Sequence, residues 1–156
     1  MPPVKTPCIG ICSTTSFGDK VCRGCKRYAF EVIAWNGYGE EEKAAVLRRI
    51  EKLVTQILEN RFRIFSVPNL KLGLEQNGVP YDPTLSPYCW LHNLLRKKHR
   101  DIRDLESLSD FGVYVLPDHA ALSLAELCAL IEEELQQLSQ AHFERYVAAG
   151  HLTRSA

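Results

Sequence analysis

A mainly α-helical protein is predicted, with a four-cysteine metal knot at the N-terminus and one short two-stranded β-ribbon. Three observations predict it. Apolar residues recur at three- and four-residue steps through 47–58 and again through 124–138, the period of a helix with one buried face. Four of the six cysteines crowd into residues 8–25, spaced C-x3-C-x9-C-x2-C. Residues 62–67 roughly alternate apolar and polar side chains as a half-buried strand does, and 111–116 are a second strand candidate that could pair with them.

Composition narrows the function. The chain has 156 residues, of which 46% are hydrophobic and 24% charged, enough apolar side chain to bury a core. Nineteen basic residues balance nineteen acidic ones, so no whole-molecule field draws it to nucleic acid or anionic lipid. The charge is polarised, however: the net is +4 over 1–65, zero over 66–115 and −4 over 116–156, which favours attraction between the two ends. No stretch approaches the roughly 18 consecutive apolar residues of a membrane span, and the first residues lack a signal-type apolar run. A cytoplasmic location is expected.

Residues 7–25 read as loop, with a polar tip from Ser13 to Asp19 between the two cysteine pairs. A first helix is expected from about Cys25 to Trp35, stopped by Asn36-Gly37. A second runs from about Glu40 to Arg61, opened by three glutamates that complement the positive end of the helix dipole and striped by Leu47, Ile50, Val54 and Ile57. Residues 62–67 form a strand ending at Pro68, and Asn69 to Gln76 a short helix closed by Asn77-Gly78. Ser86 with Pro87 reads as an N-cap and first-turn proline for a helix to about His99. Residues 111–116 are the candidate partner strand. Ser123 opens the last helix, whose stripe is Leu124, Leu127, Ile131, Leu135 and Leu138 and which reaches toward Gly150. The expected organisation is a metal-binding module with two helices over 1–65 and a helical extension over 66–156 packed on it.

In a reducing cytosol clustered cysteines are more often metal ligands than disulfides. Each close pair places two thiolates on one ion, and the nine residues between the pairs are long enough to fold back. Gly24 and Gly10 allow backbone amides to turn toward sulfur, and Lys20, Arg23, Lys26 and Arg27 offset thiolate charge. A bound metal contributes on the order of 10 kcal/mol to folding such a segment. The pair spacings suit structural zinc and match neither common ferredoxin pattern, so spacing alone favours zinc.

Pro7-Cys8-Ile9-Gly10-Ile11-Cys12, Val21-Cys22-Arg23-Gly24-Cys25-Lys26-Arg27, Glu31-Val32 and Trp35 resemble the signature of the bacterial domain-of-unknown-function family 1289. The resemblance covers about residues 6–60. It implies Cys8, Cys12, Cys22 and Cys25 as ligands, with Arg27, Glu31 and Trp35 as further marked positions. Members are described as small predicted iron–sulfur proteins, so the resemblance implies an Fe–S cluster as the other occupant. Tyr28 stands where the family pattern leads one to expect threonine.

Other residues have plainer readings. Arg27 and Glu31, four apart on a helix, suit an ion pair, and Trp35 suits a core anchor. Cys22 and Cys25 lack the preceding strand of a thioredoxin-like pair. Cys89 and His92, three apart, amount to half a metal site at most, and Cys89 and Cys128 read as small buried hydrophobes. The cluster 87–91 reads as core of the second half. Arg96, Lys97, Lys98 and Arg100 form the one dense basic run, which can neutralise phosphates on RNA or DNA but equally suits a solvated helix end. No phosphate loop, HExxH, GxSxG or dinucleotide fingerprint occurs, so no catalytic residue is assigned. The expected role is a metal-stabilised binding or adaptor module for a protein partner. The alternatives are an Fe–S electron-transfer or redox-sensing protein and an RNA- or DNA-binding module.

Overall fold

The computed structural model describes Pro7 and residues 12–148. Six α-helices and two strands follow in the order α1 (Ser13–Ser16), α2 (Ala29–Ala34), α3 (Glu40–Glu59), β1 (Phe62–Ile64), α4 (Val67–Gln76), α5 (Pro87–Lys98), β2 (Val113–Val115) and α6 (Leu124–His142). The mainly helical reading with one small antiparallel ribbon is therefore correct. No helix among the described residues is long and apolar enough to cross a membrane.

The described residues divide into two compact units. One gathers those up to Leu53 with those from Glu134 onward, and the other comprises Val54–Glu133.

In the first unit the polar tip is not all loop, because Ser13–Ser16 makes one helical turn that lies against α2. The first long-range element is a tight hairpin. Val21 pairs with Tyr28 in an antiparallel bridge, and the Cys22 N–H donates to the Arg27 carbonyl at 2.8 Å. That reversal delays the first helix, expected from Cys25, until Ala29. Trp35–Gly37 then tightens into a 3-10 turn before Tyr38 leaves it extended. Val21, Tyr28, Phe143 and Val147 form a small core, with the Phe143 ring edge-on to Tyr28 at 5.2 Å. Phe143 and Val147 belong to a π-helical segment, Phe143–Ala148, that continues α6.

In the second unit β1 and β2 pair in the register Phe62 to Val115, Arg63 to Tyr114 and Ile64 to Val113. Phe62 and Val113 are fully buried. Both strands are shorter than the expected 62–67 and 111–116, because local caps intervene. Ser66 caps α4 by accepting from the Asn69 N–H at 3.3 Å, and Pro68 fits the first helical turn, so α4 starts at Val67 rather than Asn69. Across the ribbon, Gly112 is left-handed with φ +70° and ends a 3-10 turn, Glu106–Phe111. Its carbonyl accepts from the Phe65 and Ser66 N–H groups at 2.8 and 3.2 Å. Ser86 caps α5 as read, accepting from the Tyr88 N–H at 3.2 Å, and Ser123 accepts from the Glu126 N–H at 3.1 Å. Trp90 and Leu91 are core residues, and the Trp90 indole N–H donates to the Asp82 carbonyl at 2.7 Å.

Two left-handed glycines separate strain from collision. A Cβ on Gly78 meets nothing within 4 Å, whereas one on Gly112 would stand 2.3 Å from the Ser66 carbonyl oxygen. Gly78→Ala is expected to cost about 1 kcal/mol of stability from backbone strain alone. Gly112→Ala should cost at least about 2 kcal/mol more, read as a lower urea midpoint at unchanged slope. Equal losses would show that the ribbon end yields freely.

Candidate functional site

The cysteine hairpin is shaped by backbone first. The Lys26 N–H donates to the Cys22 carbonyl at 2.9 Å, and Lys26 takes a left-handed conformation at φ +67°, unusual for a residue with a side chain. Its own contacts help hold it there. The Lys26 ammonium donates to the Arg23 carbonyl and, at 3.2 Å, to Gln136 Oε1. Gln136 also donates to the Val21 carbonyl at 3.0 Å, so one amide from α6 clamps both the turn and the strand before it.

This turn aims N–H groups at sulfur. Burial would raise the Cys22 thiol, but N–H donors from Cys25, Ser13 and Gly24, with the Cys25 thiol, outweigh it and bring Cys22 below its ordinary value. Cys22 and Cys25 are thus joined directly. Ser13 ties in the earlier segment, because its hydroxyl accepts from the Arg23 N–H at 2.7 Å while its own N–H reaches Cys22. Cys12, the residue before it, has its sulfur 2.9 Å from the Thr14 hydroxyl. Burial raises Cys25, partly offset by Arg27, whose Nε donates to its sulfur at 3.3 Å.

Three of the four expected ligands, Cys12, Cys22 and Cys25, thus lie on segments joined through Ser13. Cys8 and Gly10 lie outside the described residues. Among the described residues no group of three His, Cys, Asp or Glu side chains is arranged to hold an ion. Cys12, Cys22, Cys25, Cys89 and Cys128 are all thiols.

The marked positions after the hairpin have partners other than those expected. Arg27 does not pair with Glu31. Its guanidinium lies 4.8 Å from the Trp35 ring centroid and faces Cys25. Glu31 is bound from both sides by Arg49, at 2.7 and 2.6 Å, and accepts the Tyr28 N–H at 2.8 Å. Arg49 also packs 3.9 Å from the Tyr28 ring centroid. The Glu31 carboxylate more than compensates the burial of Arg49 and holds its charge. Trp35 is buried, as a core anchor should be.

Sequence reasoning missed Ser13, Arg49 and Gln136. Arg49 and Ser13 carry no spacing signal. Gln136 does: with Ser139, Phe143 and Val147 it marks a buried row at helical steps beside the leucine stripe of α6.

The second unit gathers a different cluster. His92 Nε2 sits 2.6 Å from Glu132 Oε1 of α6. Arg96 Nε donates to the same carboxylate at 3.2 Å, and Lys98 stands 3.9 Å from Asp101, so part of the basic run has partners within the fold. Cys128 and His99 share with His92, Arg96 and Glu132 the wall of a cavity of about 270 Å³. Cys89 and Cys128 are half-buried rather than core residues. Burial, reinforced by Glu132, pushes the Cys128 thiol up to about 11.

The family model described as "Protein of unknown function (DUF1289)" matches residues 6–53. The chain is similar to "Uncharacterized protein YdhL" of Escherichia coli K12, 38% identical over 60 residues that cover 38% of this chain and 73% of that protein. The protein of the same name from Escherichia coli O6:H1 is 40% identical over 62 residues, covering 40% and 71%. No solved structure matches the chain.

Two outcomes follow from the geometry. Breaking the enclosed pair with Glu31→Gln or Arg49→Met should cost about 3 kcal/mol in urea unfolding, with the double variant well short of the sum. Additive losses would show that the two side chains act independently. With its thiol raised from 9.0 to about 11, Cys128 should alkylate at pH 8 about 100-fold more slowly in the folded protein than in urea, as read by peptide mass spectrometry. Its thiolate forms only as pH climbs toward 11, so the folded rate should still be rising at pH 10 while the unfolded rate levels off.

Proposed function

This chain belongs to the DUF1289 family of proteins of unknown function, and we propose that its N-terminal unit is a metal-binding knot in which Cys8, Cys12, Cys22 and Cys25 hold one structural zinc ion. The observation that carries the reading is the Cys22–Lys26 turn, left-handed at Lys26, whose N–H groups point at the Cys22 sulfur. Hydrogen bonds of that kind orient metal-bound thiolates and disperse their charge. The donor set fits the ion: four soft sulfurs suit zinc in tetrahedral geometry, and Arg27 beside Cys25 reduces the net negative charge. A zinc ion bound there would act as a cross-link between the segment before α1 and the hairpin.

The knot then serves an adaptor for a protein partner, with no reaction of its own. Phe17 and Ile33, both in the first unit, are large apolar side chains more than three-quarters exposed, and in this reading the partner covers them. The thiol state of the described cysteines suits a reducing, cytoplasmic setting.

The test is elemental analysis with a visible spectrum on anaerobically purified protein, alongside Cys22→Ser. One equivalent of zinc in a colourless solution, lost in the variant together with protease resistance of residues 12–53, is the expected result. Iron with matching sulfide and a brown colour would replace the ion by a cluster and the adaptor by a redox protein. Neither metal would overturn the reading.

A further inference from the structure

The β-ribbon presents an outward face that neither the family nor the metal knot explains. Phe65, directly after β1, is 56% exposed and Tyr114 of β2 is 48% exposed. Their rings are nearly parallel, 26° apart, with centroids separated by 6.2 Å. Both rings are held from behind. The Phe65 N–H donates to the Gly112 carbonyl, and Tyr114 stands opposite Arg63 in the register. Burying the other face of the ribbon, with Phe62 and Val113 inaccessible, leaves these side chains no inward rotation.

The face is also cationic. Arg63 is exposed and donates from Nη1 to the Glu59 and Phe62 carbonyls, and among the described residues no carboxylate pairs with it. Arg63 supplies the charge of this face, since Arg61 two residues earlier is buried. A protein partner needs roughly 800 Å² on each side, far more than two rings and their flanks provide. An unpaired nucleic-acid strand needs less: π-faces for its bases and cations for its phosphates.

We propose that Arg63, Phe65 and Tyr114 form a stacking platform for unpaired bases of single-stranded nucleic acid. The rings take successive bases, and Arg63 takes a phosphate. Sequence preference is weak, because every base offers a π-face and the platform has no buried donors to read base edges. This site is separate from the cysteines and does not depend on what they bind.

The test is fluorescence anisotropy of the full chain with fluorescein-labelled oligomers of about twelve uridines or thymidines at low salt, where weak sites of this kind bind at about 10 µM. Phe65→Ala and Tyr114→Ala should each weaken binding about tenfold, while Phe65→Trp and Tyr114→Phe retain it. Arg63→Gln should lower the salt slope by about one. Uridine against thymidine separates an RNA platform from one indifferent to the sugar. Circular dichroism melts check that the exposed-ring variants remain folded, and the aromatic replacements keep the test valid if an alanine variant does not. No binding at about 100 µM would overturn the proposal. So would binding that ignores Phe65 and Tyr114, which would move it to other cations. A wild-type dimer that Phe65→Ala converts to monomer would also overturn it, by assigning the rings to a contact between copies.

Discussion

The first unit depends on one enclosed carboxylate. Glu31 accepts the Tyr28 N–H and both arms of the Arg49 guanidinium, so it caps the start of α2 and joins that helix to α3 at the same time. A carboxylate this buried is tolerated only when its oxygens are satisfied, and breaking such a pair costs more than making it contributes. Arg49 has a second task, its guanidinium standing 3.9 Å from the centroid of the Tyr28 ring, which also meets the rings of Phe30 and Phe143. The exit of the cysteine hairpin is therefore set by Glu31, whose two oxygens are already taken by Arg49 and the Tyr28 N–H. Any ligand geometry at Cys22 and Cys25 inherits its position from Glu31.

A different constraint governs the second unit. The two strands are too short to be stable alone, and their register is imposed by the caps at their ends. Gly112 supplies the left-handed residue that finishes one turn and offers its carbonyl to the opposite strand, while Ser66 stops the first strand by starting α4. Gly73 shows the same economy of space, because a Cβ there would fall 2.3 Å from the Phe111 ring. Close approach of α4 to the turn before β2 replaces the area that a longer sheet would have buried.

Local signals were legible and long-range ones were not. The periodicity of α3 and α6 and the serine caps of α4, α5 and α6 rest on residues within a turn or two of each other; the pairing of the two strands is the exception, a contact between distant segments that was legible because these were the two strand candidates. The hairpin at Cys22–Arg27 could not be read that way, since its left-handed Lys26 is held by Gln136, 110 positions later. The reading of Arg27 with Glu31 failed for a related reason. Helical spacing permits that pair, but α2 begins only at Ala29, so Arg27 is not on the helix at all. Cys89 and Cys128 were read as core residues because cysteine is usually buried, and nothing local announces that both are half-buried or that Cys128 borders a cavity. For the candidate site, the spacing of the cysteines was informative and their surroundings were not.

Those surroundings have an electrostatic logic of their own. Lys26 and Arg27 are both more than nine-tenths buried beside Cys25, and buried cations need negative charge or aligned dipoles close by. Glu31 is the one carboxylate in the family signature, and Arg49 already occupies both of its oxygens. Arg27 turns instead to the Cys25 sulfur and the face of Trp35, while Lys26 takes a carbonyl and an amide oxygen. A sulfur that serves as the acceptor for a buried guanidinium gains from carrying charge, and so does the guanidinium. Arg27 beside Cys25 and the N–H groups beside Cys22 therefore act in the same direction, but with different outcomes: burial still holds the Cys25 thiol above its ordinary value, whereas at Cys22 the donors win.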